Sequence, residues 1–304
     1  MLSPMIQGIV NTSISEGLVY AFVAIGVFLT LRVLAFPDLT VDGSFVVGGS
    51  LAAVVIAGGY NPFLAIIAAF VGGLACGSIT GLLNTKLRLP ALLAGILMMV
   101  GLYSVNLLIM GRPNIPLLRS ITLFDSIALW FGTVRSPLLV IIVLAVIVFI
   151  VFMLLNWFLH TEIGLTLRAT GDNEQMVRSL GVDTDKNILL GCAMSNGLVA
   201  LSGALVAQNQ QFCDVNMGIG MIVMGLASVI IGEALIHPRG VTSMLLTALV
   251  GTFLYRLFIT IALRLGLAPG NLKLITALLV IIALAIPYIR KKLRHEWMPP
   301  AVRW

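Results

Sequence analysis

The residues best placed to do something chemical lie together. Gly171, Asp172, Asn173 and Glu174 are followed by Met176, Val177, Arg178, Leu180 and Gly181. They sit inside the longest polar interval of the chain, HTEIGLTLRATGDNEQMVRSLGVDTDK, His160 to Lys186. This interval holds five acids (Glu162, Asp172, Glu174, Asp183, Asp185) and three bases (Arg168, Arg178, Lys186) between two strongly apolar stretches. Charges so mixed are expelled from hydrocarbon, so residues 160–187 are expected to form a solvent-side loop. Asp172 and Asn173 can cap a short helix through Glu174, Met176, Val177 and Leu180, and Gly181 is a natural stop. Acids in its first turn and Arg178 near its end suit the helix dipole. The chemistry implied is that of contact: an element presented to a partner outside the membrane.

Bond-making chemistry finds little support. His160, His237 and His295 form no H-E-x-x-H pattern, and no histidine is placed to activate Ser202 in LSGAL. No G-x-x-x-x-G-K-[ST] run is present, so ATP binding of the P-loop kind is not expected in this chain. Cys76, Cys192 and Cys213 have neither disulfide nor metal spacing, and the first two read as small core residues. No catalytic residue, metal ligand or cofactor site is therefore assigned.

The elements around the loop must be membrane helices. Of 304 residues, 60% are hydrophobic and 10% charged, whereas soluble domains carry about 25% charged residues. An all-α, polytopic membrane protein follows, read as one transmembrane domain over 1–304. Nine apolar segments have the length a bilayer demands, at 16–35, 39–58, 62–83, 90–110, 137–159, 188–208, 219–236, 241–263 and 271–289. Met5–Ser13 reads as a separate interfacial helix, and Ile121–Phe131 as another with Trp130 as its anchor.

The bases orient the chain. With residues 288–304 as a cytoplasmic tail, that side receives Arg32, Lys86, Arg88, Arg168, Arg178, Lys186, Arg239, Arg290, Lys291, Lys292, Arg294 and Arg303. The outer side receives Arg112, Arg119, Arg135, Arg264 and Lys273. Twelve bases against five favour N-terminus out and C-terminus in. The net charge of +6 is thus a matter of orientation in the lipid bilayer, with no nucleic-acid partner implied.

Polar residues within or at the mouths of spans are candidates for a solute pathway: Glu16, Asp42, Asn106, Asn196, Gln208 and Glu233. For each alone, hydrogen bonding between helices is the commoner role. Arg256 falls in mid-span, where a base is expected to face protein or water, with Glu16 or Glu233 as available partners. Two stretches depart from plain spanning helix, FPDLTVDGSFVVGG (Phe36–Gly49) and MGIGMIVMGLASVIIGEAL (Met217–Leu235). Gly-interrupted spans of this sort point to a transporter pathway, or simply to close helix packing. Whether residues 218–235 cross the bilayer or turn back stays open at this stage.

GLTLRATGDNEQMVRSLGVDTDKNILLGCAMSNGLVALSGALVA resembles the cytoplasmic loop and following helix of permeases in ABC importers of the branched-chain amino acid and ribose type. Gly171, Asp172, Asn173, Arg178, Gly181 and Val182 match that pattern in order. FPDLTVDGSF with TKLRLPALLAGILMM is similar to a subgroup paired with binding proteins for aromatic amino acids, although Val41-Asp42-Gly43 replaces a His-Gly-Glu frequent in the branched-chain type. The resemblance implies a multi-pass permease of the bacterial inner membrane that is not itself an enzyme. ATP and Mg2+ would be bound by partner ATPase subunits, and an extracytoplasmic solute-binding protein would dock on 111–136 and 209–218. A second copy would complete a homodimer. It further implies that residues 171–181 form the coupling helix, with Met176, Val177 and Leu180 filling a cleft of the ATPase and Asp172 and Glu174 meeting its basic residues. An amino acid is the expected solute, imported by alternating access. An ion-gradient-driven transporter and a non-transporting scaffold subunit are the competing readings.

Overall fold

The computed structural model describes residues 4–236, 240–265, 274, 276–278 and 281, with side chains from residue 8 onward. The expected ninth span at 271–289 and the tail at 288–304 lie largely or wholly outside these. Helix α1 (Pro4–Phe28) continues into a π-helical turn at Leu29–Val33. Then follow α2 (Thr40–Ala57), α3 (Pro62–Thr85), α4 (Ala91–Met110), strand β1 (Asn114–Pro116), α5 (Leu123–Trp130) and α6 (Pro137–His160). Next come α7 (Glu162–Asp172), α8 (Glu174–Ser179), α9 (Thr184–Gln210), strand β2 (Phe212–Asp214), α10 (Met221–Ile236) and α11 (Val241–Arg264). Seven of the described helices, α1 with its π-turn, α2, α3, α4, α6, α9 and α11, are long and apolar enough to cross a membrane, and α10 is shorter.

Local chemistry sets the helix ends. Pro62 and Pro137 occupy first-turn positions, where a missing N–H costs nothing, behind the caps Asn61 and Ser136. Thr122 and Asp125 form a reciprocal capping box on α5. Trp130 stays exposed but stacks on Phe63 at 5.5 Å, tying α5 to α3. One expectation fails. Met5–Ser13 is not a separate surface helix: α1 runs unbroken through it, because nothing between Pro4 and Phe28 interrupts the backbone ladder.

Helix α9 is the axis of the bundle, packed between α2 and α3 and against α1. Small residues allow this. A side chain on Gly48 would strike the Ala200 carbonyl, one on Gly203 that of Phe45, and one on Gly73 or Gly77 the α9 backbone at Asn196 or Cys192. In lipid, such close backbone approach takes over the role that burial from water plays elsewhere. Hydroxyls reinforce it: Ser195 donates to the Gly26 carbonyl and Ser202 to that of Val19, each at 2.7 Å.

Strands β1 and β2 pair antiparallel, Ile115 opposite Cys213, and with α5 they mark one end of the bundle. Helices α7 and α8 mark the other. Past β2 the chain does not return to the α5 end. Side chains on Gly49 and Gly218 would meet Cys213 and Asp42 respectively, so residues 213–218 run down α2 over roughly 10 Å. There α10 begins, and it ends beside Arg32 at the α8 end. The stretch 212–236 therefore passes from one end of the bundle to the other, first as a short strand, then as consecutive turns through residue 220, and finally as helix α10.

Candidate functional site

At the α8 end, two helices stand where a single short one was expected. Thr161 caps α7 through the Gly164 N–H, and Asn173 Oδ1 caps α8 by accepting from Met176 N at 2.9 Å. Gly181 closes the turn at φ +86°, a conformation that glycine adopts without strain. Gly171 lies against the Val33 carbonyl, so α7 rests directly on the π-turn of α1. Asp172 is exposed at the end of α7.

The faces of α8 differ from the expectation in two respects. Met176 and Leu180 are 50% and 73% exposed, but Val177 is 2% exposed and belongs to the chain's own interior. Glu174 is exposed but already engaged: Arg178 reaches its carboxylate at 2.9 Å, Asp185 at 3.1 Å and Thr184 Oγ1 at 2.7 Å. Arg178 thereby ties α8 to the first turn of α9. Asp183 caps α9, and its hydrogen bond with Lys186 holds the carboxyl below its ordinary value.

The six pathway candidates separate. Glu16 pairs with Arg256 at 3.3 Å, and the guanidinium lies over the Tyr20 ring at 3.5 Å. Asn196 is fully buried, donating to Asp38 Oδ2 and accepting from Ser44, each at 2.6 Å. Gln208 accepts from Leu123 N at 2.9 Å and fixes α5. Glu233 pairs with Arg32. These four hold helices together.

Asp42 and Asn106 instead share a cavity of about 470 Å³, walled by α2, α4 and the descending segment before α10. Asp42 accepts the backbone N–H groups of Gly220 (2.9 Å) and Ile222 (2.8 Å), so it caps α10 from another helix. Asn106 accepts from Ser50 at 3.2 Å and donates to the Gly43 carbonyl at 3.3 Å. Met99, Tyr103 and Ser104 line the same space and were not among the sequence candidates. The spacing of Met99, Tyr103 and Asn106, four then three residues, is that of one helix face and would have pointed to them. Among the described residues no cluster of metal-ligating side chains occurs.

The described residues thus form a bundle of apolar helices with a short exposed helix at one end and a lateral cavity. Residues 9–285 match the family described as branched-chain amino acid transport system, permease component, and the chain belongs to that family. It is 42% identical over 280 residues to the tyrosine transport system permease protein of Clostridioides difficile, covering 92% of this chain and 91% of that one. It is 28% identical over 218 residues to the ribose import permease protein of Escherichia coli K12, covering 70% and 65%. Its fold is similar to that of a metal-chelate type ABC transporter solved in an inward-facing conformation, with TM-score 0.54, 18% identity and coverage of 95% and 90%. The chain is thus a multi-pass permease component of a bacterial inner-membrane ABC transport system, and ATP hydrolysis belongs to separate subunits.

Proposed function

We propose that this permease imports an amino acid by alternating access. ATPase subunits, which bind ATP and Mg2+, dock on α8, and a solute-binding protein delivers its cargo to the loops at 111–136 and 209–218. Two copies of the chain form the transporter. The observation that carries the reading is the outward display of Met176 and Leu180 on a helix held at both ends, by Asn173 at its start and by Arg178 against α9. Apolar side chains on a rigid helix are what a cleft can grip. The tyrosine permease named among its relatives supports an amino acid as the solute more strongly than the more distant ribose permease supports a sugar.

The test is purification from native membranes under mild detergent, followed by reconstitution into vesicles. An ATPase bearing a Walker motif should co-purify and support ATP-dependent amino acid uptake. Met176→Asp with Leu180→Asp should lose both while the chain stays in the membrane. Uptake driven by an ion gradient without an ATPase would overturn the proposal, as would equal ATPase recovery with the double variant.

A further inference from the structure

Asp42 is the one acid among the described residues lining the cavity beside α4, and no base lines it. Its carboxylate has about four lone-pair sites. The backbone N–H groups of Gly220 and Ile222 occupy one on each oxygen and that of Met221 adds a third contact, which leaves room for one further donor on a carboxylate that lines the cavity. The N-terminus of α10 contributes roughly half a positive charge, so the cavity retains net negative character. Its other walls are apolar or neutral: Met99, Val100 and Ile219 beside Tyr103 and Ser104. Tyr103 is 47% exposed and Val100 63% exposed, so this part of α4 is not covered within the chain.

From this arrangement we infer that the cavity is one wall of the solute's path and that Asp42 selects solutes bearing a protonated amine. An ammonium group meets the free side of the carboxylate, while an apolar or aromatic remainder lies along Met99 and Tyr103. The polar groups are few, which suits a path that must release what it receives. A carboxylate in a walled space concentrates cations locally and excludes anions. The inference rests on the permease reading and assigns the residue that meets the amine of its amino acid solute.

The test uses the chain's own silence towards thiol reagents. Cys76, Cys192 and Cys213 are all buried. Tyr103→Cys therefore gives a single reporter, assayed in native membrane vesicles with membrane-impermeant methanethiosulfonates. With each rate divided by that reagent's rate towards a free small thiol, the trimethylammonium reagent should react about tenfold faster than the sulfonate of similar size. Asp42→Asn should bring the two rates together. Because Asp42 also caps α10, a second measurement needs no change at that site: raised salt should compress the ratio. Phe149→Cys, exposed on α6 away from the cavity, should not react. Equal rates would overturn amine selection and leave standing the permease reading, which uptake by the unsubstituted chain tests separately. No reaction of the thiol introduced by Tyr103→Cys would overturn the path itself.

Discussion

Arg32 forms an ion pair with Glu233, 201 residues later in the chain. Arg32 belongs to the π-turn on which Gly171 of α7 rests, and Glu233 lies in the last turn of α10. The other end of α10 is held by Asp42, about 18 Å away by helical rise. A continuous packed route therefore joins α7 and α8 to the cavity. Position alone does not establish coupling, so the pair needs its own test.

Reversing one charge, Arg32→Glu, should lower ATP-dependent uptake several-fold while changing thermal stability by about 1 kcal/mol or less, since Arg32 is half exposed. The double variant Arg32→Glu with Glu233→Arg should recover most of the flux. Transport assays on all four forms settle it: a double variant no better than either single one would make the pair incidental.

On α8, neighbouring residues should fail in different ways. Val177→Asp buries an unpaired charge, costing several kcal/mol, and should reduce the amount of folded chain. Met176→Asp leaves an exposed site and should reduce only ATPase recovery. Comparing membrane content with co-purified ATPase separates the two effects.

Acid should loosen the turn between α8 and α9. The Asp183 carboxyl titrates below its ordinary value, chiefly through its hydrogen bond with Lys186. Its contribution is thus present above the unfolded value near 3.8 and is lost as pH falls through the lower folded value. Thermal melts in detergent should show wild-type stability falling below about pH 4 more steeply than that of Asp183→Ala. Parallel curves would remove Asp183 from the account.

The backbone contacts along α9 should tolerate almost nothing. Gly48→Ala places a methyl group on the Ala200 carbonyl, a neighbour that cannot rotate away. A loss of about 1–3 kcal/mol or more is expected, read as a lower unfolding midpoint and poorer recovery from detergent. Gly101→Ala, where a side chain would meet nothing, serves as the tolerated control.

Much of this was legible because lipid punishes ambiguity. The long apolar runs, the Asn173 cap, the Gly181 stop and the short helix ending at Trp130 all follow from local rules that the structure obeys. Long-range relationships were not legible. Nothing in the sequence says that Val177 turns inward, that Arg178 is spent on Glu174 and Asp185, or that Asp42 caps a helix begun 179 residues later at Met221. Arg256 illustrates the boundary: that a mid-span base faces protein or water, with Glu16 and Glu233 as candidate partners, could be read, but its pairing with Glu16 depends on how helices stand side by side. The pairing of β1 with β2 was missed because three-residue strands carry no periodic signal.

The glycine contacts of α2 and α3 with α9 also bear on how such a protein diversifies. Where carbonyl meets Cα, a new side chain has nowhere to go, and that part of the molecule is closed to experiment by mutation. The exposed positions on α4, Val100 and Tyr103 above all, carry no such restriction. Lineages that exchange one cargo for another would then write the change on this narrow strip and inherit the frame unaltered.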